Sequence, residues 1–91
     1  MPPIRLTIAG QRWTLKLVRS ITHDGVACDG LCNYEKREIR VRRDLEGQEL
    51  IDTVTHEVMH AAGWNLHETF VAQTATDIAA ALTHPEVRGR I

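Results

Sequence analysis

Residues 56–69 read HEVMHAAGWNLHET. His56 and His60 are four apart, so on an α-helix they project from the same side, one turn apart, close enough to share one ion. Glu57 lies about 100° around the helix from His56, which puts its carboxylate beside such an ion rather than on it. Gly63 suits the position that ends a helix, and Asn65 to Glu68 has the N-cap to N3 spacing of a helix start. The stretch therefore predicts two helices meeting at Trp64-Asn65, with the chemically capable side chains gathered near the junction.

Working outward, Leu50, Ile51, Val54, Val58, Ala61 and Ala62 recur at three- and four-residue steps. They predict a helix over about 46–62, capped by Asp44 or a neighbour. His56, Glu57 and His60 lie off that apolar stripe. Beyond the junction, Val71, Ala72, Ala75, Ile78, Ala79 and Leu82 predict a second helix over about 66–82. Pro85 stops it, and residues 85–91 read as a loose tail.

Before residue 44 the period is two. Ile4, Leu6 and Ile8, then Trp13, Leu15 and Leu17, alternate with polar residues around the turn AGQ, as two half-buried strands of a hairpin would. SITHDGVACDG, residues 20–30, is rich in turn formers and reads as a loop. REIRVRR, residues 37–43, gives a third strand, with Ile39 and Val41 on one face and charged residues on the other, as suits a solvent-facing or edge strand. The expected fold is α+β: a small three-stranded, mainly antiparallel sheet within residues 4–43, packed against two helices, in a single domain spanning 1–91. Trp13, Trp64 and Phe70 are expected to fill the core or the connection.

Composition sets limits on function. Ninety-one residues, 43% hydrophobic and 25% charged, can build one modest core and exclude wholesale disorder. No apolar run approaches the roughly 18–20 residues of a membrane span, so no membrane partner is expected. The start lacks the charged-then-apolar pattern of a signal peptide, which makes the cytoplasm the expected location. Residues 1–43 carry nine of the eleven Lys and Arg against four acids; residues 44–91 carry two arginines against eight acids. The basic residues are interleaved with apolar ones and form no block. The two halves are therefore expected to pack together and partly neutralise each other, with nucleic acid a partner not favoured. Cys28 and Cys32 form C-x3-C with no second pair, so reduced thiols in a turn are expected, with a site of His23 and both cysteines as the alternative. His23 and His84 otherwise read as surface loop histidines.

The third ligand needs an argument from helix phase. The pattern H-E-x-x-H-x-x-G-x-x-H would put it at Leu66, which binds no metal, and His67 comes one position late. Counting from Glu68, positions +3, +4 and +7 are Val71, Ala72 and Ala75, so Glu68 heads the stripe that must pack, while His67 lies about 100° off it. A carboxylate on that side needs a partner, and an ion held by the preceding helix would be one. Alternatively Glu68 only completes a capping box. The expected set is His56, His60 and Glu68 around one Zn2+ ion, with His67 as the alternative ligand. Zinc suits imidazole, and three protein ligands lower the pKa of its water to about 7, which leaves Glu57 to take that proton.

HEVMHAAGWNLHETFVAQTATDIAAAL, residues 56–82, resembles the small zincin-like metallopeptidases common among phage and bacterial proteins. Their pattern is H-E-x-x-H, then W-x-L-x-E, then a helix of the type E-x-x-V/A-x-x-x-A. It is more distantly similar to the metallopeptidase domain of the ImmA/IrrE family and to minimal gluzincins. GLCNYEKREIRV, residues 30–41, resembles the edge strand preceding the zinc helix in such proteins, and the likeness covers roughly residues 30–82. It implies a minimal zincin-like fold, His56, His60 and Glu68 as zinc ligands, and Glu57 as catalytic base and acid in peptide-bond hydrolysis of a peptide or protein substrate. An acid often precedes the third-ligand glutamate in those proteins, where this chain has His67.

By the same resemblance a strand beside the zinc helix binds substrate through its main chain, which here would be Ile39, Arg40, Val41 and Arg42, the two arginines favouring acidic side chains. Tyr34 and His67 are the candidates for stabilising an oxyanion. The alternative function is a non-catalytic binding module stapled by zinc, associated with nucleic acid through the basic half. Glu57 separates the two, because a structural site has no use for a general base.

Overall fold

Alternating apolar and polar residues let the first half of the chain build a sheet with one dry face. In the computed structural model, which describes residues 2–91, strands β1 (Ile4–Ile8) and β2 (Gln11–Val18) form an antiparallel hairpin with Ile8 opposite Gln11. Its two turn residues, Ala9 and Gly10, both have positive φ, 49° and 78°, the conformation whose twist matches that of the flanking strands. Strands β3 (Thr22–His23) and β4 (Val26–Ala27) make a separate two-stranded ribbon through Asp24-Gly25. Strands β5 (Gly30–Asn33) and β6 (Glu38–Arg42) then join the main sheet, whose order is β1-β2-β6-β5.

One expectation is corrected here: the sheet has four strands, not three. It is mainly antiparallel as expected, with one parallel pair, β6 running parallel to β2 and antiparallel to β5. The nineteen residues between β2 and β6 exceed the dozen or so that a parallel return needs, and β3, β4 and β5 are built within that excursion. Consequently β6 is an interior strand and β5 is the edge. The four residues of β5 are too few to display an alternation, and their Gly and Asn read as turn formers.

The dry face carries Ile8, Trp13, Leu15, Ile39 and Val41, buried together with Leu45. Helix α1 (Gly47–Ala62) lies on it through Leu50, Val54, Val58 and Ala61, the anticipated stripe. Its N-cap is Glu46, which makes no side-chain cap, while Asp44 is held by Arg42 through Oδ1 at 3.0 Å and Oδ2 at 2.6 Å. Helix α2 (Glu68–Thr83) starts two residues later than expected and packs chiefly against α1, so α1 is a middle layer between the sheet and α2. Val71, Ala75 and Ala79 are fully buried, one per turn. Ala72, Ile78 and Leu82 are exposed, because only a narrow strip of α2 meets α1 and no further layer covers the rest. Thr76 Oγ1 donates to Asp52 Oδ2 at 3.0 Å across the helix pair.

Residues 85–91 are not simply a loose tail: a short helical turn, α3 (Pro85–Arg88), is capped by His84, whose Nδ1 accepts from the Glu86 amide at 3.1 Å. Trp13 is buried as expected, but Trp64 is 79% exposed and Phe70 is 54% exposed, so neither fills the core. No helix is long and apolar enough to cross a membrane. Across the two halves Arg42 pairs with Asp44 at 2.6 Å, and among the described residues no ion pair joins the sheet's cations to the acids of the helices.

Candidate metal centre

Helical spacing places His56 and His60 on the flank of α1 that meets the N-terminal end of α2, and Glu68 is the first residue of α2. Nε2 of His56 lies 3.0 Å from Glu68 Oε1, and Nε2 of His60 lies 2.7 Å from Glu68 Oε2. The two Nε2 atoms are 3.2 Å apart. One donor atom from each of the three residues falls within 4.8 Å of the others. Helix phase thus brings Glu68 to the histidines, but its side chain is 64% exposed rather than buried, since it sits at the open end of the helix pair.

The donor chemistry fits a metal ion. Two imidazole nitrogens and one carboxylate are a donor set that could hold an ion such as zinc. Bonds of about 2.0–2.1 Å in tetrahedral geometry separate donors by about 3.3 Å, so the 2.7–3.2 Å seen here needs an opening of only a few tenths of an ångström.

His67 stands outside this group. It is the N-cap of α2, its Nδ1 accepting from the Thr69 amide at 3.1 Å. Asn65 is therefore not the cap, Glu68 is at the first helical position rather than the third, and no capping box forms. Tyr34 is also placed differently from an oxyanion donor: its hydroxyl donates to the His60 carbonyl oxygen at 2.7 Å. Its ring meets Trp13 edge-on at 6.1 Å. Tyr34 so ties the turn after β5 to the last turn of α1, and its single hydroxyl hydrogen is committed there.

Glu57 points to another side of α1, against β5. It is 8% exposed, the one buried charged residue among those described. Burial raises its carboxyl to about 7, and the nearby Glu68 carboxylate adds to the rise. A cation held between His56, His60 and Glu68 would oppose that second cause. Gly30 leaves the space Glu57 occupies: a Cβ on Gly30 would stand 2.8 Å from Glu57 Oε2 and 2.8 Å from Thr53 Cγ2. A cleft of about 250 Å³ opens here, lined by Asp29, Gly30, Asp52, Thr53, His56 and Glu57. Asp29, Gly30 and Asp52 escape a reading of the sequence, because Asp29-Gly30 looks like a turn and Asp52 like a solvated helix position.

The expected substrate strand is corrected. Ile39 and Val41 are in the core, and the β6 main chain is paired on both sides, by β2 and β5. Arg40 Nε is bound to Glu38 at 2.9 Å, and Arg42 is held by Asp29 and Asp44. No peptide can add to β6, and the Arg42 guanidinium is already held by two carboxylates. The edge strand beside Glu57 is β5. The Arg42 amide donates to the Asp29 carbonyl at 2.9 Å, and the antiparallel alternation from that bond turns the N–H and C=O of Gly30 and Cys32 away from β6.

Both cysteines are free thiols. Burial, then the Glu57 carboxylate, pushes Cys32 up to about 11, which disfavours the thiolate a metal would need. Cys28 Sγ donates to the Val26 carbonyl at 3.4 Å. Among the described residues, the His56, His60 and Glu68 cluster contains neither cysteine and not His23.

No protein-family model, curated protein or solved structure matches this chain.

Proposed function

We propose that the chain is a minimal zincin-like metallopeptidase, in which one zinc ion held by His56, His60 and Glu68 serves peptide-bond hydrolysis. The observation that carries this is the pairing of a convergent His2Glu donor set with a buried carboxylate at the next helix position, Glu57. Zinc in such a set supplies a Lewis acid that polarises a carbonyl and acidifies water. The main-chain groups of Gly30 and Cys32 on the free edge of β5 receive an extended peptide by strand addition and hold its scissile bond along the cleft. Glu57 accepts the proton of the attacking water and passes it to the amine nitrogen as the C–N bond breaks. Tyr34 positions His60 through its carbonyl and takes no part in the proton transfers.

A zinc-stapled binding module is the second reading, favoured by the fact that the donor set joins α1 to α2. The variant Glu57→Gln decides between them. Hydrolysis of an unstructured protein substrate or a peptide library should fall by at least about a hundredfold, while zinc content by mass spectrometry stays at one ion per chain. Wild-type protein loaded with zinc that cuts nothing would leave the staple as the function, whereas Glu57→Gln protein as active as wild type would remove Glu57 as the base.

A further inference from the structure

The sheet is covered on one face only. Residues that alternate with the core positions, Arg5, Thr7, Arg12 and Thr14 among them, point away from α1. Arg5 stands opposite Thr14, and Arg12 opposite Thr7, so the two arginines lie diagonally across the hairpin. The turn between β5 and β6 adds Lys36 and Arg37, pinned against β2 by the Thr14 amide donating to the Arg37 carbonyl at 2.9 Å. These six residues line a groove of about 530 Å³. Its four cations are all exposed, none is in an ion pair among the described residues, and no acid lines the groove. The neighbouring acid on this face, Glu38, is already engaged on both oxygens, by Lys16 at 2.9 Å and Arg40 at 2.9 Å. Glu35 precedes Lys36 in the same turn but does not line the groove, and the acids of the two helices lie behind the opposite face, so the four cations outnumber the acids near the groove.

We propose that this groove is a binding site for the phosphodiester backbone of a nucleic acid, separate from the metal centre. Charge complementarity selects the class of partner. Protein–protein contact cores are depleted of charge other than Arg and are rich in aromatics, whereas here three arginines and a lysine line the groove and Trp13 shows it almost none of its surface. Nucleic-acid interfaces are polar and strongly positive, and arginine forks match phosphate oxygens two at a time. The groove faces away from α1, so its occupant does not enter the cleft at Glu57. The proposal therefore stands whether or not the metal centre cuts peptides.

Fluorescence anisotropy on the whole chain tests it, using labelled single-stranded and duplex oligonucleotides of about 20 nucleotides beside polyglutamate of matched length, from about 50 to 200 mM salt. Four phosphate contacts should make log K fall by about 3 for each decade of salt on a single strand. Arg5→Glu with Arg12→Glu should weaken binding at least tenfold and lower that slope by about 1.4, while Arg90→Glu in the tail changes affinity less than twofold. Both groove positions are exposed, so the melting temperature should hold. Should the double variant nonetheless unfold, Arg12→Gln alone must still lower the slope by roughly 0.7. The proposal is overturned by an absence of nucleic-acid binding at about 50 mM salt, by binding that the groove variants leave unchanged, or by polyglutamate binding as tightly with the same dependence on Arg5 and Arg12.

Discussion

Glu57 and Gly30 are one structural unit. A carboxylate within a fold is expensive without a partner, and the raised pKa of Glu57 records that expense. It lies against β5 because position 30 has no side chain. In Gly30→Ala, the new methyl would meet Thr53 Cγ2, which is stiff at χ1, together with the Glu57 stem, whose Cγ is 2.9 Å away. The expected outcome is a loss of about 1–3 kcal/mol in urea unfolding, with Glu57 displaced. Adding Thr53→Ser removes one of the two obstacles and should recover part of the loss. A Gly30→Ala protein as stable as wild type would mean that β5 and α1 are farther apart than described. His56, Glu57, His60 and Glu68 were legible in the sequence, since a four-residue step and a helix phase are properties of the chain itself. Gly30 was not, because the side chain that needs its space is 27 positions away.

At the scale of elements, the turn joining β1 and β2 carries a strain that can be removed. Ala9 sits at φ 49°, a left-handed conformation that costs an L-residue with a Cβ about 1–2 kcal/mol, while Gly10 meets the same demand freely. Asn tolerates that region and is the favoured first residue of such a turn. Ala9→Asn should therefore stabilise the protein by about 0.5–1 kcal/mol, read as a higher midpoint in urea at an unchanged slope. A lower midpoint would show that the turn is not of this type. The same scale explains why β6 is solvent-facing on one side yet not an edge. Its charged alternate residues suit an edge strand, but Glu38 binds Lys16 from the parallel neighbour β2 and Arg40 from its own strand, which lets charge sit on an interior strand at the open face. This pairing also holds the Glu38 carboxyl below its ordinary value, the Lys16 hydrogen bond being the largest cause.

For the whole molecule, the layer order would make an ion held by His56, His60 and Glu68 a brace. Helix α2 rests chiefly on α1 along a strip of one valine and two alanines, with Glu68 at the end where the donors meet. Zinc that binds only the folded chain at about 100 times its dissociation constant adds about 2.7 kcal/mol. For a domain of this size that is a rise in Tm of roughly 10–20 °C. Calorimetry before and after chelation should show that shift, and Glu68→Ala should shrink it. Equal melting temperatures with excess zinc and with chelator would count against a donor set that joins the helices. A melting temperature that still responds fully to zinc in Glu68→Ala would place the third ligand elsewhere.

The sequence by itself determined what depends on neighbours along the chain: two amphipathic helices, a hairpin, the one-turn spacing of the histidines and the glutamate in phase with the second helix's apolar stripe. Only the tertiary structure decided what depends on residues far apart. It made the sheet mixed, put β6 inside and β5 at the edge, buried Glu57 against Gly30, left Trp64 and Phe70 in solvent, and separated the basic face from the acidic helices. The physical reason is that periodicity reports which residues share a face, whereas strand order, burial and charge balance depend on what that face is packed against.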